Sequence, residues 1–215
     1  MQSHPLINNL SPGIYGITDN RLMPCDKQLL KQAESALQAG VRLLQYRNKN
    51  PASPEEPLRQ VKKLLILCND YNVPLMINDN VELAYTTGAH GVHLGAEDLS
   101  PVQARNILGP DAIIGVTCNH FVHKAVLAEQ QGANYVAFGR FFPSKTKPEA
   151  EHADLSILKE AKKQCTLPIV AIGGITPDNC AEVVKAGADI IAVIHSLFAS
   201  GDINQQIKRF NQCMA

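Results

Sequence analysis

One phrase recurs along this chain and limits what it can fold into: a glycine, usually an alanine, a polar residue, then a short apolar run. It stands at 86–94 as "TTGAHGVHL", at 130–138 as "QQGANYVAF" and at 185–193 as "KAGADIIAV", with a partial copy, "QAGVRLLQY", at 38–46. A glycine that closes a helix, followed at once by four to six apolar residues, marks the step from helix to buried strand. Apolar runs of that length lie at 13–18, 42–47, 74–78, 91–95, 112–117, 135–139, 168–173 and 189–194. Helical stretches fall near 26–39, 54–71, 80–87, 100–107, 120–131, 153–164 and 177–186, with a last one at 202–212. Ser100-Pro101 and Thr176-Pro177 read as helix starts, a capping hydroxyl before a proline at the first helical position. Gly40, Gly88, Gly132 and Gly187 read as helix stops.

Eight βα units in 215 residues predict a single α/β domain over 1–215, a (β/α)₈ TIM barrel, with 1–12 as an N-terminal extension. An open doubly wound sheet is the rival, but its glycine-rich turn would follow the first strand rather than the seventh. At 45% apolar residues the chain has ample material for one large core. Twenty basic against 20 acidic residues, without a basic run, give no electrostatic footprint for nucleic acid. No stretch approaches the roughly 20 apolar residues of a membrane helix, and "MQSHPLINNLSPG" lacks the pattern of a secretion signal, so a cytoplasmic protein is expected. The six cysteines show no C-x-x-C pair and no zinc spacing, so reduced thiols are expected, with Cys118 alone near a candidate site.

In such barrels the active site gathers at the C-terminal ends of the strands, and there the polar residues look out of place. Strand two ends "LLQYRNKN", which puts Gln45, Arg47 and Lys49 on one face. They are either a solvated strand end or a site for an anion. Strands three and four end in Asn78-Asp79 and, a few residues on, Asp98. The two aspartates either cap the following helices or together hold one Mg²⁺, which takes one or two carboxylates plus phosphate oxygens and water. His93 is either a core histidine or a ligand contact. The stretch "FGRFFPSKTKPEAEHA" carries Ser144, Thr146 and Lys147, suited to an anion or simply to a surface. Gly173-Gly174 after strand seven and "VIHSLF" after strand eight stand where these barrels frequently bind phosphate. Mg²⁺ with two carboxylates is neutral, so Arg47, Lys49 and Lys147 remain to balance a diphosphate, while the Gly-Gly side suits a separate monophosphate.

From "YGITD" to "VIHSLF" the chain resembles the thiamine-phosphate synthase family, through "QYRNK", "INDN", "GVHLGAED", "FPSKTK" and "AIGGITPDN" in order. The resemblance implies a Mg²⁺-assisted transferase that condenses hydroxymethylpyrimidine diphosphate with hydroxyethylthiazole phosphate. Diphosphate would leave first, and the thiazole nitrogen would capture the resulting pyrimidine cation. By the same resemblance Asp79 and Asp98 bind Mg²⁺, and Arg47, Lys49, Asn78 and Lys147 hold the diphosphate. Gln45 and His93 face the pyrimidine, Thr117 matches a serine near the diphosphate, and Ser144 and Thr146 belong to a hydroxyl-bearing loop. Gly174 and the backbone at Ile194, His195 and Ser196 form the thiazole phosphate cradle. A homodimer is also implied. Asn48, Ala96, Arg140, Lys145, His195 and the pair Thr117-Cys118 depart from the family pattern. The rivals are a related thiazole tautomerase, whose members generally lack the paired acidic motifs, and a non-catalytic sensor of pathway phosphates.

Overall fold

A computed structural model describes residues 12–144 and 151–214. Eight parallel strands close into a barrel, each paired with the next and β8 with β1. They are β1 (Gly13–Ile17), β2 (Leu43–Tyr46), β3 (Leu75–Asn78), β4 (Gly91–Leu94), β5 (Ile113–Asn119), β6 (Tyr135–Phe138), β7 (Ile169–Ile172) and β8 (Ile190–Val193). The helices are α1 (Asp26–Gln38), α2 (Glu56–Asp70), α3 (Val81–Thr87), α4 (Pro101–Leu108), α5 (Val122–Gln130), α6 (Ser156–Gln164), α7 (Cys180–Ala186), α8 (His195–Phe198) and α9 (Ile203–Met214). The expected (β/α)₈ barrel is what forms.

Alternation along the strands explains the two cores. Tyr15, Ile17, Leu43, Met76, Ile113, Tyr135, Ala137, Val170, Ile190 and Ala192 pack inside the barrel. Their sequence neighbours, such as Ile14, Leu44, Ile77, Val136, Ile169 and Ile191, pack outward beneath the helices. Strands buried on both faces read as continuous apolar runs, which is why the sequence shows runs rather than alternation.

Helix ends follow local chemistry. Ser100 caps α4 with a reciprocal capping box to Gln103, worth about 1 kcal/mol. Gly88 closes α3 at φ 68°, the left-handed geometry that glycine tolerates best. Two expectations need correction. Thr176-Pro177 does not start α7: residues 176–179 form a turn in which the Asn179 Oδ1 accepts from Thr176 N at 2.8 Å, and the helix begins at Cys180. That turn ties down the loop before it, since Asn179 Nδ2 donates to Gly174 O. A four-residue helix, α8, also follows β8, too short to leave a periodic trace in the sequence. All six cysteines are free. Among the described residues no helix is long and apolar enough to cross a membrane.

Candidate active site

The polar strand ends meet at the C-terminal mouth of the barrel, as two adjoining cavities. The larger, ≈ 360 Å³, is lined on one side by Gln45, Arg47, Lys49, Asn78 and Asp79, and on the other by His93, Thr117, Ser144 and Ile194. The smaller, ≈ 210 Å³, is bounded by Gly174, His195 and Ser196. Ser144, Ile172, Gly173 and Ile194 belong to both walls, so the cavities share a boundary. Thr146, Lys147 and the departure at Lys145 lie outside the described residues.

Asp79 lines the first cavity, with Asp98 beside it. Neither Asp79 nor Asp98 caps a helix: Asn80 accepts from Leu83 N to cap α3, and Ser100 caps α4. Instead the two Asp side chains hydrogen-bond each other. Asp79 Oδ2 also accepts from Lys49 Nζ at 2.5 Å and from Asn78 Nδ2 at 2.7 Å. Asp98 Oδ2 accepts from Gly95 N at 2.6 Å. Burial pushes the Asp79 carboxyl up, but Lys49 and the bond from Asp98 outweigh it and hold the group below the usual carboxylate range. Burial raises Asp98, and the neighbouring Asp79 charge raises it further, against the Gly95 N–H. Two carboxyl groups this close need a shared proton or a cation between them. Asp79 is also held at φ 63° in the turn after β3, a left-handed conformation that costs a non-glycine residue about 1–2 kcal/mol. Among the described residues no cluster of three or more His, Cys, Asp or Glu could hold a metal.

The basic residues are positioned by the first strand as well as the second. Arg47 N donates to Thr18 Oγ1 at 2.9 Å, and its guanidinium, 12% exposed, lies 3.9 Å from Asp19 Oδ2. Asp19 is buried and gripped by Arg21 through Nε at 3.0 Å and Nη2 at 2.7 Å. Asp19 is paired with Arg21 and Lys49 with Asp79, so among these groups Arg47 keeps its positive charge toward the cavity. Asp19 carries no role in the sequence reading, although it follows β1 as Asp79 follows β3. That reading missed Asn119 and assigned no contact to Arg140; both line the larger cavity.

Beneath the cavity floor runs a chain of hydrogen bonds. Gln45 Nε2 donates to Tyr15 Oη at 2.6 Å, and Tyr15 Oη lies 3.0 Å from Tyr135 Oη. The Tyr135 Oη is 3.0 Å from His93 Nδ1, and His93 Nε2 is 2.9 Å from Thr117 Oγ1. Both tyrosines look like ordinary core aromatics in the sequence, and no spacing signal separates them from packing residues. Cys118, next to Thr117, points into the outer core, and burial pushes its thiol up to about 12. It is a packing residue in the protonated form.

Around the smaller cavity the backbone dominates. Gly173 and Gly174 sit at φ 102° and 66°, and a Cβ at Gly174 would collide with the Pro143 carbonyl and Phe142. Ser196 Oγ donates to Ile175 O at 2.7 Å, so its hydroxyl is engaged in bracing the loop. His195 is exposed at the first turn of α8, where helix amides have no intrahelical acceptor.

Comparison with known proteins gives one consistent answer. A family model described as thiamine monophosphate synthase matches residues 14–197. A thiamine-phosphate synthase of Marinobacter nauticus is 49% identical over 97% of this chain and 93% of its own length. One from Nitrosococcus oceani is 48% identical over 93% of this chain and 91% of its own. Among solved structures, the thiamine phosphate pyrophosphorylase of Pyrococcus furiosus superposes with a TM-score of 0.85 at 33% identity, covering 97% of both chains.

Proposed function

The chain belongs to the thiamine monophosphate synthase family and is a transferase that makes thiamine phosphate, and we propose that it does so by a dissociative route across the two adjoining cavities. The pyrimidine ring occupies the larger one between Gln45 and His93, with its diphosphate against Arg47, Lys49, Asn78 and Lys147. Hydroxyethylthiazole phosphate occupies the smaller one, its phosphate on the backbone of Gly174 and of Ile194, His195 and Ser196. Thr117, Ser144 and Thr146 supply hydroxyls along the leaving group.

The bond between the pyrimidine methylene and the bridging oxygen breaks first, and its electron pair departs with the diphosphate. The thiazole nitrogen then donates its lone pair to the methylene cation, forming the C–N bond of the thiazolium. No proton moves in either step, so the protein needs neither a nucleophile nor a general base. Its task is to stabilise charge that grows on the leaving group; Arg47 and Lys49 do this as preorganised donors, and by the family resemblance Lys147 adds its charge. The shared wall of the two cavities holds nitrogen and methylene in line and keeps water from the cation.

Mg²⁺ suits the donor set: two hard carboxylates in mutual contact, beside cations that hold phosphate. Asp79 and Asp98 would hold it, and when bound it supplies Lewis-acid stabilisation to the phosphate oxygens.

The observation that carries this reading is the contact between Asp79 and Asp98 at the mouth, next to Lys49 and Asn78. A tautomerase that only shuttles a proton on a thiazole has no use for such a pair. The test mixes protein, both substrates and Mg²⁺ and follows diphosphate release. Metal-dependent release with thiamine phosphate formation is expected. Binding without turnover would mark a sensor, and turnover of the thiazole alone a tautomerase.

A further inference from the structure

We infer that Tyr135 is a positioning residue that holds His93 as its Nε2–H tautomer and so turns the hydroxyl hydrogen of Thr117 toward a phosphate oxygen of the ligand. Its kinetic consequence rests on the proposed reaction; the tautomer itself does not.

Counting hydrogens along the chain gives the direction. Gln45 Nε2 donates to Tyr15 Oη. A phenol has one hydrogen, so that of Tyr15 goes to its other partner, Tyr135 Oη. Tyr135 in turn gives its hydrogen to His93 Nδ1. An imidazole nitrogen that accepts carries no proton, so the ring proton is on Nε2 and is donated to Thr117 Oγ1. With Oγ1 accepting there, the Thr117 hydrogen is turned elsewhere, and Thr117 lines the larger cavity. An imidazolium would donate from both nitrogens. The Tyr135 hydrogen would then be stranded in an interior where Tyr15 and Tyr135 are 1% and 0% exposed. Burial also pushes both phenols well above their ordinary range, so neither supplies a negative charge; the Asp79 carboxylate, which acts on the ring electrostatically, is itself paired with Lys49.

The strand register is what permits Tyr135 to reach so far. His93 pairs with Gly115, and Gly115 pairs with Tyr135, so the three stand in one row across β4, β5 and β6. A Cβ built at Gly115 would overlap the ring and hydroxyl of Tyr135. The glycine leaves the middle of the row empty, and the phenol crosses it to the imidazole two strands away. The two rings lie nearly parallel, 14° apart, with centroids at 5.6 Å. Tyr135 is not part of the cavity wall; it acts through His93.

The test is long-range ¹H–¹⁵N NMR on protein labelled in histidine and free of substrate, with the His93 signals assigned by their loss in His93→Gln. The unmodified protein is expected to show an unprotonated Nδ1 and a protonated Nε2. Tyr135→Phe keeps the ring and removes the donor, so the Nδ1–H form should appear. In diphosphate release the same variant should lose on the order of 10- to 100-fold in kcat, with KM for thiazole phosphate within about twofold. Tyr15→Phe, which leaves the Tyr135–His93 bond in place, should lose less and keep the tautomer, and it stands in should Tyr135→Phe not fold. A protonated Nδ1 in the unmodified protein overturns the inference, as does a Tyr135→Phe spectrum and kcat unchanged from it. Because the spectrum needs no substrate, failure of the proposed condensation would appear separately, as unmodified protein that releases no diphosphate.

Discussion

The two sides of the barrel mouth offer an anion different physics. On the β2 to β4 side the groups are side chains: Arg47, Lys49, Asn78, Asp79 and Asp98, four of them formally charged, with Lys49 and Asn78 bonded to Asp79 at 2.5 and 2.7 Å. On the β7 to β8 side the elements are Gly173, Gly174 and the first turn of α8, and the nearby hydroxyl of Ser196 is turned to a backbone carbonyl. The first side can gather and release charge during a reaction, as a departing diphosphate requires. The second offers fixed amide dipoles, suited to a phosphate that only has to be held. Substitutions that change charge should therefore damage one side, and substitutions that add a Cβ the other.

The largest expected effect is on the charged side. Asp79→Asn or Asp98→Asn should lower turnover by about 10²- to 10³-fold, while titration calorimetry finds thiazole phosphate affinity little changed. Equal losses in both would erase the division between the two sides. Next comes Gly174→Ala, which puts a Cβ at φ 66° against the Pro143 carbonyl. A left-handed alanine costs about 1–2 kcal/mol, or roughly 5- to 30-fold in thiazole phosphate affinity if the loop shifts to escape it. Affinity for the pyrimidine diphosphate should hold, as measured by the same calorimetry.

Gln45→Ala sharpens the comparison from the cavity floor. Losing one or two hydrogen bonds of ordinary strength should raise KM for the pyrimidine substrate by about tenfold, and an effect confined to thiazole phosphate would show that Gln45 faces the other ligand. The smallest effect is expected from His195→Ser. Its side chain is exposed and the proposed recognition there is by backbone, so steady-state constants should stay within about twofold.

The same contrast explains what could be read from the sequence. All eight strands were legible, because helix-closing glycines and short apolar runs are local signals that recur in register. The charged side was visible as carboxylates, amides and cations breaking out of apolar runs, though not the choice between helix caps and a pair. That choice depended on Asn80 and Ser100 taking the caps, which frees Asp79 and Asp98 to meet across neighbouring loops. The backbone side was visible only as Gly-Gly. Helix α8 and the Asn179 turn that braces Gly174 are too short to print a period. Least legible was the interior chain from Gln45 to Thr117, since a tyrosine at an inward strand position has the same sequence signature whether it packs or relays a hydrogen bond.

Diphosphate release titrated with Mg²⁺ tests the central claim most directly, with the unmodified protein beside Asp98→Asn and the Asp79→Asn/Asp98→Asn pair. A rate that saturates with metal is expected in the unmodified protein, with a weaker and slower response in the single variant and background in the double. A double variant that reaches the unmodified rate at the same Mg²⁺ concentration would contradict that claim.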